Sequence, residues 1–152
     1  MEKALFALVA SLFVAHAWAD PVKEVLALGP DRIKAFMAGD AEKWTAAYAD
    51  NATFYSQLSP LRVDGKPAIR AYNVDLFARY PGARNLQIAQ PMIRAYGDNV
   101  VVADGYYQLS LTDRGGRIST YYARYSATWL KVDGRWQIVS QHNATLPSSG
   151  AQ

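Results

Sequence analysis

Apolar positions along this chain change their period once, near Pro81, and that change divides it into a helical and a strand half. From Asp20 to about Ala49, Val22, Val25, Leu26, Ile33, Phe36 and Met37 recur every three or four residues, the spacing of one helix face. Gly29-Pro30 interrupts the pattern. Proline lacks an N–H and crowds the preceding turn, so a break or kink is expected there, with Asp31 capping the helix that follows. Gly39 is expected to end that helix and Asp40 to cap another, Ala41–Ala49, with Trp44 and Tyr48 one turn apart on the same side. Asp50-Asn51-Ala52 reads as a turn, Thr53–Ser56 as a short strand and Leu58–Gly65 as a loop. Lys66-Pro67 then opens a helix to about Tyr80, proline standing in the first turn where its missing N–H costs nothing. Ile69, Tyr72, Val74, Leu76 and Phe77, in some combination, supply its buried side, and Pro81-Gly82 stops it.

The remainder alternates with period two. Asn85–Tyr96 is expected to pair with Val100–Leu111 through Gly97-Asp98-Asn99, and the latter connects through Asp113-Arg114-Gly115-Gly116 to a long hairpin, Ile118–Thr145. Asp133-Gly134 at the hairpin tip is a strong turn signal, because glycine takes a positive φ without a Cβ penalty. The flanking runs hold Tyr121, Tyr122, Tyr125, Trp129, Trp136, Ile138 and Val139, which suit a pleated, half-buried surface. Helices followed by consecutive antiparallel strands predict an α+β domain, with N-terminal helices packed on one face of a curved antiparallel sheet.

Composition narrows the picture. Met1-Glu2-Lys3, the apolar run Ala4–Ala15 and the small-residue site Ala17-Trp18-Ala19 have the layout of a secretory signal peptide cleaved before Asp20. The apolar run is shorter than the roughly 20 residues a membrane span needs. A periplasmic or secreted chain of roughly 130 residues is therefore expected, a normal single-domain length with no membrane association after cleavage. Cysteine is absent, so packing alone must hold the fold, and thiolate nucleophiles and thiolate metal sites are excluded. Of the two histidines, His16 falls in the leader, which leaves His142 alone in the domain and no multi-histidine metal site within one chain. The net charge of +3 is mild and the basic residues are scattered, giving no nucleic-acid footprint. No nucleotide, flavin or metal motif occurs, so neither a cofactor nor a metal is expected; Gly115-Gly116 is a hairpin loop with no helix after it to cradle a phosphate.

The segments GKPAIRAYNVDLFARYPG, IRAYGDNVVVADGYYQLSL and ARYSATWLKVDGRWQIVSQHNATLP, in this order, resemble the nuclear transport factor 2-like (ketosteroid isomerase-like, SnoaL-like) superfamily. Within it they are similar to the bacterial SgcJ/EcaC proteins and to the association (hub) domain of calcium/calmodulin-dependent kinase II. The hub-type ending is matched by Trp129, Asp133-Gly134-Arg135-Trp136, Gln137-Ile138-Val139, His142 and Pro147, and the similarity spans roughly residues 30–147. The hub's pocket arginines fall at positions held here by Ala127 and Asn143. The resemblance implies a cone-shaped (cystatin-like) fold with a pocket between the concave sheet face and the helices. It also implies self-association, as a homodimer or higher homo-oligomer. Family enzymes use a carboxylate base with tyrosine or protonated aspartate as donors.

Two readings of function follow. In one, the pocket takes a small organic molecule, whose identity the sequence does not give, as a binding protein or a cofactor-independent isomerase, cyclase or hydrolase. Asp104 is the candidate base, because a carboxylate facing an apolar pocket has its pKa raised by desolvation. By alternation it shares a face with Val102, Tyr106 and Gln108. His142 is the second acid–base candidate, and Arg124 on the adjacent strand is placed to grip an anion bidentately or to pair with Asp104. Trp44, Tyr48, Tyr55, Tyr72 and Tyr106 are the expected aromatic lining; the chain holds ten tyrosines, whose hydroxyls need partners when buried. In the other reading the domain is a non-enzymatic oligomerisation module that uses the convex sheet face, with Tyr125 and Trp129 or their neighbours at the contact.

Overall fold

The computed structural model describes residues 20–146. The expected signal peptide and the tail from Pro147 lie outside the described residues.

The first helix, α1 (Pro21–Ala38), starts where Asp20 accepts a hydrogen bond from the Val22 amide at 3.0 Å. It runs unbroken through Gly29-Pro30, with no restart at Asp31. Pro30 removes one intrahelical bond, but Val25 before it and Phe36 after it are both buried and pin the two halves to the domain. Tertiary packing has overridden the local break. Gly39 ends the helix with φ 73°, its amide bonding the Phe36 carbonyl at 3.0 Å, a left-handed cap that glycine adopts without a Cβ clash. Asp40 caps the next helix by accepting from the Lys43 amide at 3.0 Å.

That helix, α2 (Ala41–Thr45), is one turn long, and Tyr48 already belongs to a strand, β1 (Tyr48–Tyr55). The expected helix to Ala49 and turn at Asp50–Ala52 are thus corrected, and Trp44 and Tyr48 do not share a helix face. The cause is a distant partner. β1 pairs in parallel with the last strand, β6 (Arg135–Thr145), with Tyr48 opposite Ile138 and Thr53 opposite Ser140 across an irregular step. The Ile138 amide also bonds the Ala47 carbonyl at 2.8 Å. A two-residue strand, β2 (Val63–Asp64), adds to the other edge of β1. The helix α3 (Lys66–Arg79) buries Ile69, Asn73, Leu76 and Phe77; of the residues offered for its buried side, Val74 is exposed.

β3 (Arg84–Ala95), β4 (Val100–Thr112) and β5 (Ile118–Val132) complete a six-stranded sheet in the order β2-β1-β6-β5-β4-β3. It is antiparallel except for the β1–β6 pair. Asp133 and Gly134 both take positive φ, 49° and 74°, so the hairpin closes through the turn whose twist matches its strands. In β4, Val101, Ala103, Tyr107, Leu109 and Leu111 are buried, and so in β5 are Ala123, Ala127 and Trp129. These face the helices. β3 carries a bulge at Gln90-Pro91, where Ala89 opposes Tyr106 but Met92 opposes Asp104, leaving two residues against Gly105.

Two polar ties, one half-buried and one buried, fix the ends of this arrangement. Glu24 of α1 accepts from Lys131 Nζ at 2.6 Å and from Trp136 Nε1 at 2.5 Å, which joins the first helix to the hairpin. Tyr48 donates its hydroxyl proton to Gln141 Oε1 at 2.7 Å, which joins β1 to β6. Burial pushes the Tyr48 phenol up to about 12, the nearby Arg32 guanidinium opposing the rise. With a folded pKa above the ordinary 10.0, the native state holds a proton that the unfolded chain has lost. That contribution is intact below pH 10 and lost as the pH rises toward 12. A two-unit difference corresponds to roughly 2–3 kcal/mol. Urea unfolding of wild type and Tyr48→Phe at pH 8 and at pH 12 should show the difference between them shifting against the wild type by about that amount; an unchanged difference would mean that Tyr48 ionises as freely in the folded protein as in the unfolded chain.

Candidate functional site

Helices α1 and α3 do not fill the space above the concave sheet face. They leave an open-mouthed cavity of about 560 Å³, walled by side chains of both helices and of all the long strands. Phe36, Trp44, Phe54, Leu76, Tyr107 and Trp129 are among the large side chains of its apolar wall. The polar groups are few and mostly engaged. The Ser56 and Tyr72 hydroxyls are 2.6 Å apart, Gln141 donates to Asn143 at 3.1 Å, and Asn73 donates to the Ile69 carbonyl at 2.8 Å. Burial raises the pKa of the Tyr72, Tyr107 and Tyr125 phenols, so these are proton donors rather than bases near neutral pH. Tyr125 leans across Gly105: a Cβ there would lie 2.9 Å from the Tyr125 ring and 3.2 Å from the Ala89 carbonyl oxygen, which is why the strand carries glycine opposite the bulge.

Among the described residues one charged side chain lines the cavity, Arg32 of α1. Its guanidinium carbon lies 4.4 Å from the Trp44 ring centroid, 5.4 Å from that of Trp129 and 5.7 Å from that of Tyr48. Desolvation lowers its pKa, partly offset by Tyr48. Part of the side chain meets the cavity, whereas Nε and Nη2 are out of solvent's reach and have no hydrogen-bond partner among the described residues. Stacking over an aromatic face recovers about 0.5–2 kcal/mol per good contact, but it acts through the face of the guanidinium and leaves its N–H edge unmet. Each buried donor left unmade costs about 1–3 kcal/mol. Arg32 was not among the residues the sequence pointed to. Its signal was present: it stands seven residues after Val25 and four before Phe36, a cation on the apolar stripe of α1.

Of the expected lining, Trp44 and Tyr72 border the cavity, and Tyr48 is buried behind it against Arg32 and Gln141. The expected placement of Asp104, His142, Arg124, Tyr106 and Tyr55 within the cone is corrected, because all five lie on the outer face. Ala103 and Tyr107 point inward, so alternation sends Asp104 and Tyr106 out, and the bulge lies in β3, leaving the alternation of β4 intact. There Asp104 is ion-paired with Arg94, not with Arg124. Cross-strand pairing sets Asp104, Ser126, His142 and Tyr55 in one row and Tyr106 beside Arg124 in the next. His142 packs on the Tyr55 ring with centroids 5.3 Å apart. Asp104, Tyr106, Arg124 and His142 thus share a second, shallower concavity on the convex side. Among the described residues no Asp, Glu or His lines the cone.

Solved structures of similar shape come from several bacteria. A Xanthomonas campestris structure named for a calcium/calmodulin dependent protein kinase II association domain superposes with a TM-score of 0.74 at 26% identity, covering 83% of this chain and 88% of that one. A nuclear transport factor 2 (NTF2-like) superfamily protein from Salmonella enterica gives 0.75 at 19% identity, covering 86% and 94%. A candidate dehydratase of the NTF2-like family from Streptomyces avermitilis gives 0.73 at 11% identity, covering 84% and 98%. The last two share the fold alone. The family model described as calcium/calmodulin dependent protein kinase II association domain matches residues 22–147, nearly the whole described length, and this chain belongs to that family within the NTF2-like fold.

Proposed function

We propose that this domain binds a small, largely apolar organic molecule in its cone, and that the expected leader delivers it to the periplasm or the exterior to do so. The observation that carries the reading is the cavity itself. Its volume of about 560 Å³ falls in the range of small-molecule sites, and its walls are aromatic and aliphatic with a few converging hydroxyls and amides. Turnover of the isomerase type needs a base within reach of the substrate carbon, and Asp104 and His142 stand on the other side of the sheet. Binding is therefore the function the geometry supports best. The purified protein should bind the neutral fluorescent probe N-phenyl-1-naphthylamine saturably at micromolar concentration. Ala127→Phe, which fills the cavity from a buried wall position, should weaken that binding at least tenfold while circular dichroism stays native. Failure of the wild type to bind, or equal binding by the variant, would remove the cone as the site.

A second reading, self-association, is favoured by the family's description and by the outer face. Tyr125 and Trp129, expected at such a contact, point into the cone instead. The outer face of β3–β5 presents Met92, Tyr106 and Tyr122, all exposed, around Arg124 and His142. Light scattering at micromolar concentration should give a dimer or larger, shifted toward monomer by Tyr122→Asp; a monomeric wild type would end this reading.

A further inference from the structure

We propose that the outer face of the sheet holds a second copy of this chain only while His142 is uncharged, so that association is switched by pH. The inference rests on the self-association reading and adds its regulation. His142 is the one histidine among the described residues, and histidine is the side chain whose charge changes between about pH 5 and 8. Cross-strand pairing places it in the row Met92, Asp104, Ser126, His142 and Tyr55, which crosses the outer face from β3 to β1. Met92, Tyr55, Tyr106 and Tyr122 are exposed around it, and Arg124 stands in the same concavity. Tyrosine, methionine and arginine are the residue types enriched where one protein surface covers another.

The groups that face His142 leave no counter-charge for a protonated ring. On its own strand the outward neighbours are Ser140 and Ala144, and opposite it on β5 is Ser126. One step along β5, Arg124 has no ion-pair partner among the described residues. Asp104 of β4, the acid in the same row, is already held by Arg94 of β3. From β1 the Tyr55 ring packs on the imidazole with centroids 5.3 Å apart. Beside that ring, Arg62 is paired with Asp64 of β2 at 2.7 Å. The two ion pairs cancel, so Arg124 leaves the face positive, and a proton on His142 adds to that excess rather than relieving it. A two-fold contact uses the same patch on both copies, which brings both Arg124 and both His142 side chains into one interface. There, like charges without partners oppose docking, at a cost that grows as water is excluded. Contact therefore favours the uncharged ring. By linkage, association is full at the alkaline end of the imidazole range and is lost toward the acid end.

Sedimentation velocity of the full-length protein at micromolar concentration, at pH 8 and at pH 5.5, tests this, with circular dichroism at both values reporting the fold. The wild-type dissociation constant should rise at least tenfold from pH 8 to pH 5.5. His142→Gln, with His16 left in place, should lose that dependence. His142→Lys, which fixes a positive charge at the position, should associate at pH 8 about as weakly as the wild type does at pH 5.5. A wild-type dissociation constant that is the same at both pH values, or smaller at pH 5.5, overturns the proposal without needing any variant to fold. So does a pH dependence that survives His142→Gln, or a His142→Lys protein that associates at pH 8 as tightly as the wild type. A dimer indifferent to pH leaves the self-association reading standing and removes only the switch. A wild type that is monomeric at both pH values removes both.

Discussion

A strand can offer only every second side chain to one side, and in β4 and β5 that constraint organises the rest of the molecule. Ala103, Tyr107 and Leu109 go inward with Ala127 and Trp129, while Asp104, Tyr106, Arg124 and Ser126 go outward. The two sets cannot be exchanged without slipping the register by one residue, which would put Asp104 and Arg124 under the helices. The same alternation explains why the cone is nearly free of charge and why the titratable candidates gather on the convex face. It also explains why small residues matter: alanines at 103 and 127 leave the volume that becomes the cavity, and Gly105 leaves the space that Tyr125 occupies.

Against that background Arg32 stands apart. It is delivered by the helix rather than the sheet, and it is boxed by aromatic rings instead of carboxylates. Salt-bridge partners exist elsewhere in the domain, as Arg94–Asp104 and Lys131–Glu24 show, so the missing partner is a property of this position. A cation kept without a counter-charge in a mostly apolar cavity costs stability. On this account the cone is the proposed binding site, and the outer face is a separate, polar and aromatic surface.

Most of the fold was legible because it is written in local patterns. The Asp133-Gly134 turn, the left-handed cap at Gly39, the Asp40 cap and the period-two runs of β3 to β6 each depend on neighbours in sequence. What stayed hidden depends on distant ones. Residues 46–49 look helical and 50–52 look like a turn until β6 arrives to pair with β1 in parallel, and Gly29-Pro30 looks like a break until Val25 and Phe36 are both seen to be buried. The site was legible only in part. Trp44 and Tyr72 were identifiable as large aromatics on amphipathic helices, but the side of the sheet on which Asp104 falls depends on strand parity, and that requires knowing which strand carries the bulge. Arg32 was obscured by the expected break, since the stripe from Val25 to Phe36 is continuous only if the helix is.

The most direct test of the central claim is a crystal structure of the protein with N-phenyl-1-naphthylamine bound. The account predicts the probe's rings inside the cone, among Trp44, Tyr107 and Trp129. Ligand density at Arg124 on the outer face, with the cone empty, would contradict it.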